Sequence, residues 1–206
     1  MMKINLSRVA ICLFTILFLS QPAQYAKAQG FSLFGPPSSG KKYVNFKTRE
    51  RAGTIIVSFG DRKLYKILKK GKAISYPIAI PRNISRWEGT LPVVSKKVNP
   101  GWIPTPAMRR ENPKLPAHVV GGHPHNPLGV RALYLGNTLY RIHGTDAPWT
   151  IGKAVSKGCI RMYNDDVVDL YKQTNIGTKV VVTWKKFKPT ATLQNASLTF
   201  EEMIVD

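Results

Sequence analysis

The chain has 206 residues, 43% of them hydrophobic, and its 31 basic and 11 acidic residues give a formal charge of +20 at pH 7. This length and composition indicate one globular domain with tails rather than several domains. The charge either attracts polyanions or only keeps the chain soluble. Because the chain has no nucleic-acid-binding motif and no alternation of aromatic and basic residues, nucleic acid is excluded as the expected partner.

Residues 1–28 have the composition of a secretory signal. Lys3 and Arg8 precede an apolar run from Val9 to Leu19, and Ala26-Lys27-Ala28 offers small residues for cleavage. The run has about eleven residues, whereas a membrane-spanning helix needs roughly 20. We therefore expect cleavage after Ala28 rather than a retained anchor, with no stable membrane span afterwards. The mature chain is then exported to the periplasm or cell wall, where anionic cell-wall polymers are the expected polyanions.

Export changes the meaning of the two cysteines, Cys12 and Cys159. Cys12 lies within the predicted signal and leaves with it. Cys159 then has no partner for an internal disulfide. In an oxidising compartment, such a thiol is an intermolecular partner, a buried inert residue or a reactive group.

The first half of the chain predicts a tether and then strands. Residues 29–52, rich in Gly, Pro, Ser and Lys, are predicted to be a flexible tether. A domain at 53–184 follows, and its β-type runs lie at 54–59, 63–68, 73–80 and 91–98. Residues 100–127 are dense in proline and glycine. Because a long irregular segment inside a domain is usually functional, we expect a wall or lid of a cleft there.

The second half predicts a mainly β fold, closed into a sandwich or a barrel-like pair of sheets. Its predicted elements are strands at 131–135 and 138–142, a helix after Cys159, a strand at 178–184 and a polar tail at 185–206 without assigned function. Gly136-Asn137 suits a tight hairpin between the first two strands, so His143 falls at the end of a strand. Asn164 is suited to cap the helix.

His143 and Cys159 are the candidate catalytic pair. A free cysteine has a pKa near 8.5 and is only a few per cent thiolate at neutral pH. An imidazole can accept the thiol proton and later donate it to a leaving amine, which is typically worth ~10²–10⁴ in rate. The two residues lie 16 positions apart, so the pair forms only if folding joins the two ends of the loop between them.

The residues around Cys159 have candidate supporting roles. Gly158 lets the backbone turn the amides of Gly158 and Cys159 towards one point, as an oxyanion hole requires. Ser156 and Lys157 either solvate the loop or act on the site, Ser156 by hydrogen bonding and Lys157 by favouring the thiolate. Arg161 is suited to bind a substrate carboxylate, or it belongs to a buried salt bridge.

The order of these residues resembles that of the L,D-transpeptidases of the YkuD family. The family has His-Gly at the end of a strand and then Ser-x-Gly-Cys-x-Arg, and His143-Gly144 and Ser156 to Arg161 match both parts. Further matches at 126–129, 131–133 and 140–142 extend the resemblance over the whole of 53–184. Many relatives have a second histidine where Lys157 stands, which leaves the role of Lys157 open.

The resemblance implies a peptidoglycan-acting enzyme with a YkuD-like β-sandwich or barrel and one or two short helices. Cys159 would take the acyl group of a tetrapeptide stem, and His143, oriented by a backbone carbonyl, would protonate the released D-alanine. The thioester would pass to a neighbouring stem peptide, giving a 3→3 cross-link, or to another amine or water. The implied supporting residues are Gly158, Ser156 and Gly144, and the implied substrate-binding residues are Arg161, Lys157, Tyr140, Arg131 and Asn126, with no cofactor and no metal.

Alternatives remain open at this point. The same pair serves hydrolysis, as in an L,D-carboxypeptidase or a cysteine endopeptidase acting on peptidoglycan stems. His123, His125 and His143 are candidate zinc ligands of a metal-dependent hydrolase, although no carboxylate or cysteine is obviously paired with them. A non-catalytic cell-wall-binding module would also use the positive charge. Asp146 is a candidate triad partner of His143, which the resemblance does not favour.

Overall fold

The computed structural model describes residues 39–191, so the predicted signal and the far end of the predicted tail lie outside the described residues. The strands are β1 (Lys42–Asn45), β2 (Ile55–Ser58), β3 (Lys63–Ile67), β4 (Lys72–Pro77), β5 (Ile80–Pro81), β6 (Gly89–Val98), β7 (Arg131–Leu135), β8 (Arg141–His143), β9 (Ala154–Ser156), β10 (Ile160–Arg161), β11 (Lys179–Thr183) and β12 (Thr190–Ala191). The helices are α1 (Pro106–Glu111) and α2 (Asn164–Lys172). This mainly β fold with short helices confirms the predicted fold class. No helix between residues 39 and 191 is long and apolar enough to cross a membrane.

One sheet contains ten of the strands, in the order β10-β8-β7-β6-β11-β2-β3-β4-β1-β12, and β5 pairs with β9 outside it. The β-branched residues of β2 and β11 suit such a pleated, packed surface. β11 pairs with β2 in parallel, and β10 pairs with β8 in parallel. Because parallel neighbours need a crossover connection, the chain between β8 and β10 leaves the sheet and returns. We call residues 144–159 the crossover loop.

The main core lies on the face of the sheet that α2 covers. Val167 and Leu170 of α2 are fully buried there, as are Ile142 of β8 and Ile160 of β10. Burying one such aliphatic side chain contributes roughly 1.5–3 kcal/mol. The two strands that flank the crossover loop are therefore anchored by their inward-facing isoleucines.

The crossover loop is braced by the segment around β5. Gly152 N donates to Ile78 O at 3.1 Å, and Ile80 N donates to Lys153 O at 3.0 Å. Nearer Cys159, Arg82 N donates to Ser156 O at 2.9 Å. These backbone bonds fix the second half of the loop against a buried strand.

Residues 29–38 of the predicted tether lie outside the described residues, whereas residues 42–45, which were also assigned to it, form β1. This strand pairs antiparallel with β4 and with β12, and β12 itself lies in the predicted tail. Gly40 N donates to the carboxylate of Asp166 at 3.0 Å, and Lys41 Nζ lies 3.0 Å from that of Asp169. These partners lie far away in the sequence, so local composition does not indicate that residues 40–45 are ordered.

The hairpin before His143 and the start of α2 also differ from the prediction. β8 starts later than expected because Thr138 Oγ1 donates to Leu135 O at 2.6 Å and accepts from Tyr140 N at 3.0 Å. These side-chain bonds form a turn in place of strand pairing. Asn164 is the first residue of α2, whereas the cap position belongs to Tyr163, which makes no side-chain cap bond. The predicted capping role of Asn164 is therefore wrong.

α1 lies inside the segment that was predicted to be irregular. Thr105 caps this helix by accepting a hydrogen bond from Met108 N at 3.3 Å, and Pro106 occupies its first turn, where a missing N–H costs little. The six residues of α1 include no buried side chain, so they show no apolar period that would have predicted a helix.

Candidate active site

Strand alternation places four side chains on one side of the β8–β10 pair. The isoleucines of the two strands lie opposite each other and are fully buried, and Arg161 lies opposite His143. Residues two positions apart on a strand share a face, so Arg141 joins His143, and Cys159 joins Arg161. All four side chains line one cavity. Folding therefore brings together the two ends of the crossover loop.

His143 is buried, and its Nδ1 lies 2.6 Å from the carbonyl oxygen of Gly144. Because a carbonyl only accepts, Nδ1 carries the proton and Nε2 is the acceptor. Burial, and then the charges of Arg161 and Arg141, lower the pKa of His143 to about 3. The imidazole is therefore neutral at pH 7. The Gly144 carbonyl, and not Asp146, orients the imidazole through Nδ1, and the Asp146 carboxylate acts electrostatically on Arg161.

Cys159 is half-buried, and it forms no disulfide with a residue of the described range. Its Sγ donates a weak hydrogen bond to Leu139 O at 3.5 Å. Burial raises the pKa of the Cys159 thiol, while hydrogen bonds from Arg141 and the charges of Arg141 and Arg161 oppose this rise. The resting site therefore holds a neutral thiol and a neutral imidazole, with two arginines placed to stabilise a thiolate.

The turn before Cys159 requires glycine. Gly158 has a φ of 126°, and a Cβ on it would lie 2.9 Å from the ring of Tyr140. Trp87 stacks on that ring at 4.2 Å and donates from Nε1 to Gly158 O at 3.0 Å. Ser156 Oγ donates to Cys159 O at 2.5 Å, whereas Gly158 N reaches Ser156 Oγ only at 3.4 Å. This long bond is weak, which leaves the Gly158 amide available to a substrate oxygen.

Cys159 lies where two cavities meet. The smaller has a volume of about 300 Å³, and its lining includes His143, Arg161, Trp102, Met108 and Leu128. The larger has a volume of about 850 Å³, and its lining includes Arg82, Ile84, Arg110, Leu139 and Tyr140. Both are lined by Arg141, Lys157, Thr105 and Met108. The segment that carries α1 therefore lies between the two cavities.

An ion pair joins α1 to the crossover loop. Lys157 Nζ lies 2.5 Å from Glu111 Oε2, and Arg82 Nη2 lies 3.8 Å from the same oxygen. The hydrogen bond from Lys157 lowers the pKa of Glu111. All three side chains are partly exposed, so salt screens the pair. Lys157 thus fastens the α1 segment beside Cys159.

The structure divides the other predicted substrate-binding residues. Arg161, Lys157 and Tyr140 line the cavities. Asn126 is buried, and its amide bonds backbone groups around its own loop. Arg131 bonds a backbone carbonyl and lies over an aromatic ring of α2. Neither Asn126 nor Arg131 lines either cavity.

Sequence reasoning missed Arg141, Trp87 and Glu111. Arg141 had a usable signal, because it lies two positions before His143 and therefore on the same face of β8. Trp87 bonds a residue 71 positions away, and Glu111 bonds one 46 positions away. No local pattern indicates such partners.

The histidines of the zinc hypothesis do not form a metal centre. The rings of His123 and His125 are exposed, with centroids 5.7 Å apart. In the part of the chain that the structure describes, no three His, Cys, Asp or Glu side chains are placed to hold a metal ion. The metal-dependent alternative therefore has no geometric support.

A half-buried thiol and a neutral imidazole that line one cavity with two arginines, on a mainly β domain, define an acyl-transferring class of cysteine enzyme. Residues 52–182 match the family model described as YkuD, the L,D-transpeptidase catalytic domain. The chain belongs to this family of enzymes.

Two curated relatives and a solved structure illustrate the similarity. ErfK/SrfK of Escherichia coli, named a probable L,D-transpeptidase, is 41% identical over 140 residues, which cover 62% of this chain and 43% of the relative. YbiS of Escherichia coli, also named a probable L,D-transpeptidase, is 37% identical over 136 residues, or 61% of this chain and 43% of the relative. This chain thus matches less than half of each relative's length. An L,D-transpeptidase structure from Mycobacterium smegmatis has a TM-score of 0.48 and 16% identity, covering 63% of this chain and 58% of that one.

Proposed function

We propose that this chain is a peptidoglycan L,D-transpeptidase that forms 3→3 cross-links through a thioester on Cys159. The observation that carries the proposal is the meeting of two cavities at Cys159, with His143 and Arg161 lining the smaller one. A transferase must hold a donor and an acceptor beside one nucleophile, and two cavities provide room for both. Hydrolysis needs a donor cavity and water only.

The first step starts from the neutral pair. Nε2 of His143 accepts the thiol proton as Cys159 Sγ attacks the carbonyl carbon before the terminal D-alanine of a tetrapeptide stem. The oxyanion forms near the Gly158 and Cys159 amides, where one such donor is typically worth ~3 kcal/mol. The C–N bond then breaks, the imidazolium gives its proton to the D-alanine amine, and the thioester remains.

The second step returns the enzyme to its resting state. The side-chain amine of a second stem attacks the thioester carbon and loses a proton to His143. The new amide forms as the C–S bond breaks, and Cys159 Sγ takes the proton back from the imidazolium.

The two cavities have different roles in this proposal. The leaving and the attacking amine both need His143, so both enter the smaller cavity, which His143 lines. Arg161 in that cavity is suited to bind the carboxylate of the D-alanine. The acylated stem then occupies the larger cavity, where Arg82 and Arg110 are placed to meet its carboxylates.

Incubation with tetrapeptide muropeptides, followed by mass spectrometry, tests the function. We expect free D-alanine and a dimer that is lighter than two tetrapeptide monomers by one D-alanine, and neither product from Cys159→Ala. Tripeptide monomers without a dimer would indicate an L,D-carboxypeptidase instead of a transferase. Cleavage of cross-linked muropeptides would indicate an endopeptidase. Salt-sensitive binding to the wall that survives Cys159→Ala, without D-alanine release, would indicate a non-catalytic wall-binding module.

The proposal includes export to the periplasm or cell wall. The composition of residues 1–28 supports it, and the charge of +20 suits contact with anionic wall polymers. Attachment of another amine-bearing molecule to the wall would use the same thioester.

A further inference from the structure

The side chain of Asn164 binds the start of the crossover loop. Thr145 N donates to Asn164 Oδ1 at 3.1 Å, and Asn164 Nδ2 donates to Thr145 O at 3.0 Å. Thr145 N can only donate and Thr145 O can only accept, so these two bonds determine which end of the Asn164 side-chain amide is the oxygen and which is the nitrogen. The first residue of α2 therefore holds Thr145 by both of its backbone polar groups.

Two glycines make room for this amide. A Cβ on Gly144 or on Gly129 would overlap Asn164 Oδ1, and Gly129 also has a φ of 61°. The backbone approaches the amide this closely only because both positions lack a side chain. The contact is thus built from three parts of the chain.

The Thr145 amide belongs to the same peptide unit as the Gly144 carbonyl, and such a unit is planar. His143 Nδ1 donates to that carbonyl at 2.6 Å. A continuous chain of hydrogen bonds therefore runs from the imidazole through one peptide group to Asn164 Oδ1. Bonds in such chains polarise one another, and the amide holds the acceptor that orients the imidazole.

We propose that Asn164 is a positioning residue that sets the tautomer and the ring orientation of His143 through the Gly144–Thr145 peptide. In a catalytic triad a carboxylate orients the histidine, whereas here an uncharged amide does so through a peptide group. The inference rests on the proposed function, because the Nδ1–H tautomer is the one that leaves Nε2 free for the thiol proton.

Imidazole NMR of ¹⁵N-histidine-labelled protein tests the tautomer without any substrate. Wild type and the control Asn175→Ala, which removes an amide just beyond the other end of α2, should show His143 protonated at Nδ1. Asn164→Ala should show a mixture of tautomers. Asn164→Asp keeps an oxygen acceptor for Thr145 N and should restore the Nδ1–H form. A wild-type tautomer in a folded Asn164→Ala protein would overturn the inference.

Turnover provides the second measurement. Since misplacing a catalytic group by about 1 Å can cost ~10² in rate, we expect Asn164→Ala to lose 10- to 100-fold in kcat, with KM within about twofold. Asn164→Asp should recover most of the loss. Equal kcat in Asn164→Ala and wild type would contradict the inference. Should wild type release no D-alanine, the proposed function fails, while the NMR result still decides the role of Asn164.

Discussion

At the scale of single residues, the proposed catalytic pair starts without charge. His143 is neutral because it is buried near two arginines, and Cys159 remains a thiol because burial raises its pKa. In the proposed mechanism, proton transfer therefore creates a thiolate and an imidazolium in a partly enclosed site. The positive charges of Arg141 and Arg161 favour the thiolate and disfavour the imidazolium. Their net effect therefore depends on how close each guanidinium lies to the sulfur and to the imidazole.

Replacing Arg141 should slow reactions of the thiolate. Arg141 supplies hydrogen bonds and positive charge that oppose the rise in the pKa of Cys159. We expect Arg141→Gln to shift the alkylation profile of Cys159 to higher pH and to lower its rate at pH 7 on the order of tenfold. The rate of iodoacetamide labelling, followed from about pH 6 to about pH 10 so that the range spans a thiol pKa, measures the shift of the profile.

Arg131→Gln is the matched control, because this substitution removes the same charge at a position that lines neither cavity. Its labelling profile should coincide with that of wild type. Equal profiles for Arg141→Gln and wild type would show that the Arg141 guanidinium does not stabilise the thiolate.

At the scale of elements, α1 controls how Cys159 is reached. The helix has six residues and no buried side chain, and it is joined to the crossover loop through Glu111 and Lys157. Few buried contacts hold it, so local opening is expected to cost little free energy. The ion pair is then a main restraint on the wall between the two cavities.

Breaking the ion pair should expose the thiol more often. We expect Glu111→Gln to speed labelling of Cys159 by a bulky maleimide a few-fold, because exposed ion pairs are weak and the gain has to be small. High salt should raise the wild-type rate towards that of the variant. Glu50→Gln, which breaks the exposed Glu50–Lys179 pair instead, should leave the rate unchanged. A Glu111→Gln rate equal to wild type would mean that α1 is held by other contacts.

The elements also show which features the sequence could predict. The strand-like run after the Gly136-Asn137 turn predicted that His143 ends a strand, and β8 does end at His143, because a strand and its turn leave a local signal in the residues. Asn164 could not be read correctly, since the same asparagine suits a helix cap or a distant loop, and only tertiary packing selects between them. β1 and the partners of Lys157 likewise depend on contacts across long stretches of chain. Local chemistry was predictable, whereas the partners that tune it were not.

At the scale of the whole molecule, His143 links stability to pH. Its pKa is about 3 in the folded chain, against 6.5 as its ordinary value. Between these values the unfolded chain binds the proton and the folded chain does not, so the free energy of unfolding decreases as pH falls from 6.5 towards 3. Above pH 6.5 this histidine has no effect on the pH dependence. The slope is at most about 1.4 kcal/mol per pH unit.

Urea unfolding at pH 7 and pH 5 measures this linkage. We expect wild type to lose about 2 kcal/mol more than His143→Gln between the two values, because the variant cannot take up the proton on unfolding. His118→Gln, which removes an exposed histidine, should behave as wild type does. Parallel losses in wild type and His143→Gln would show that the imidazole is accessible to protons in the folded chain.

The bracing of the crossover loop has a consequence for redesign. Asn164 holds the loop at Thr145, and the bond from Gly152 to Ile78 holds it again, so residues 146–151 form an excursion between two fixed points. Trp149 at its tip is 66% exposed. Exposed tips of this kind tolerate insertions. A grafted peptide could therefore replace the tip without displacing the sulfur, and in the proposed transferase it would offer a binding site for directing the acyl group to chosen amines.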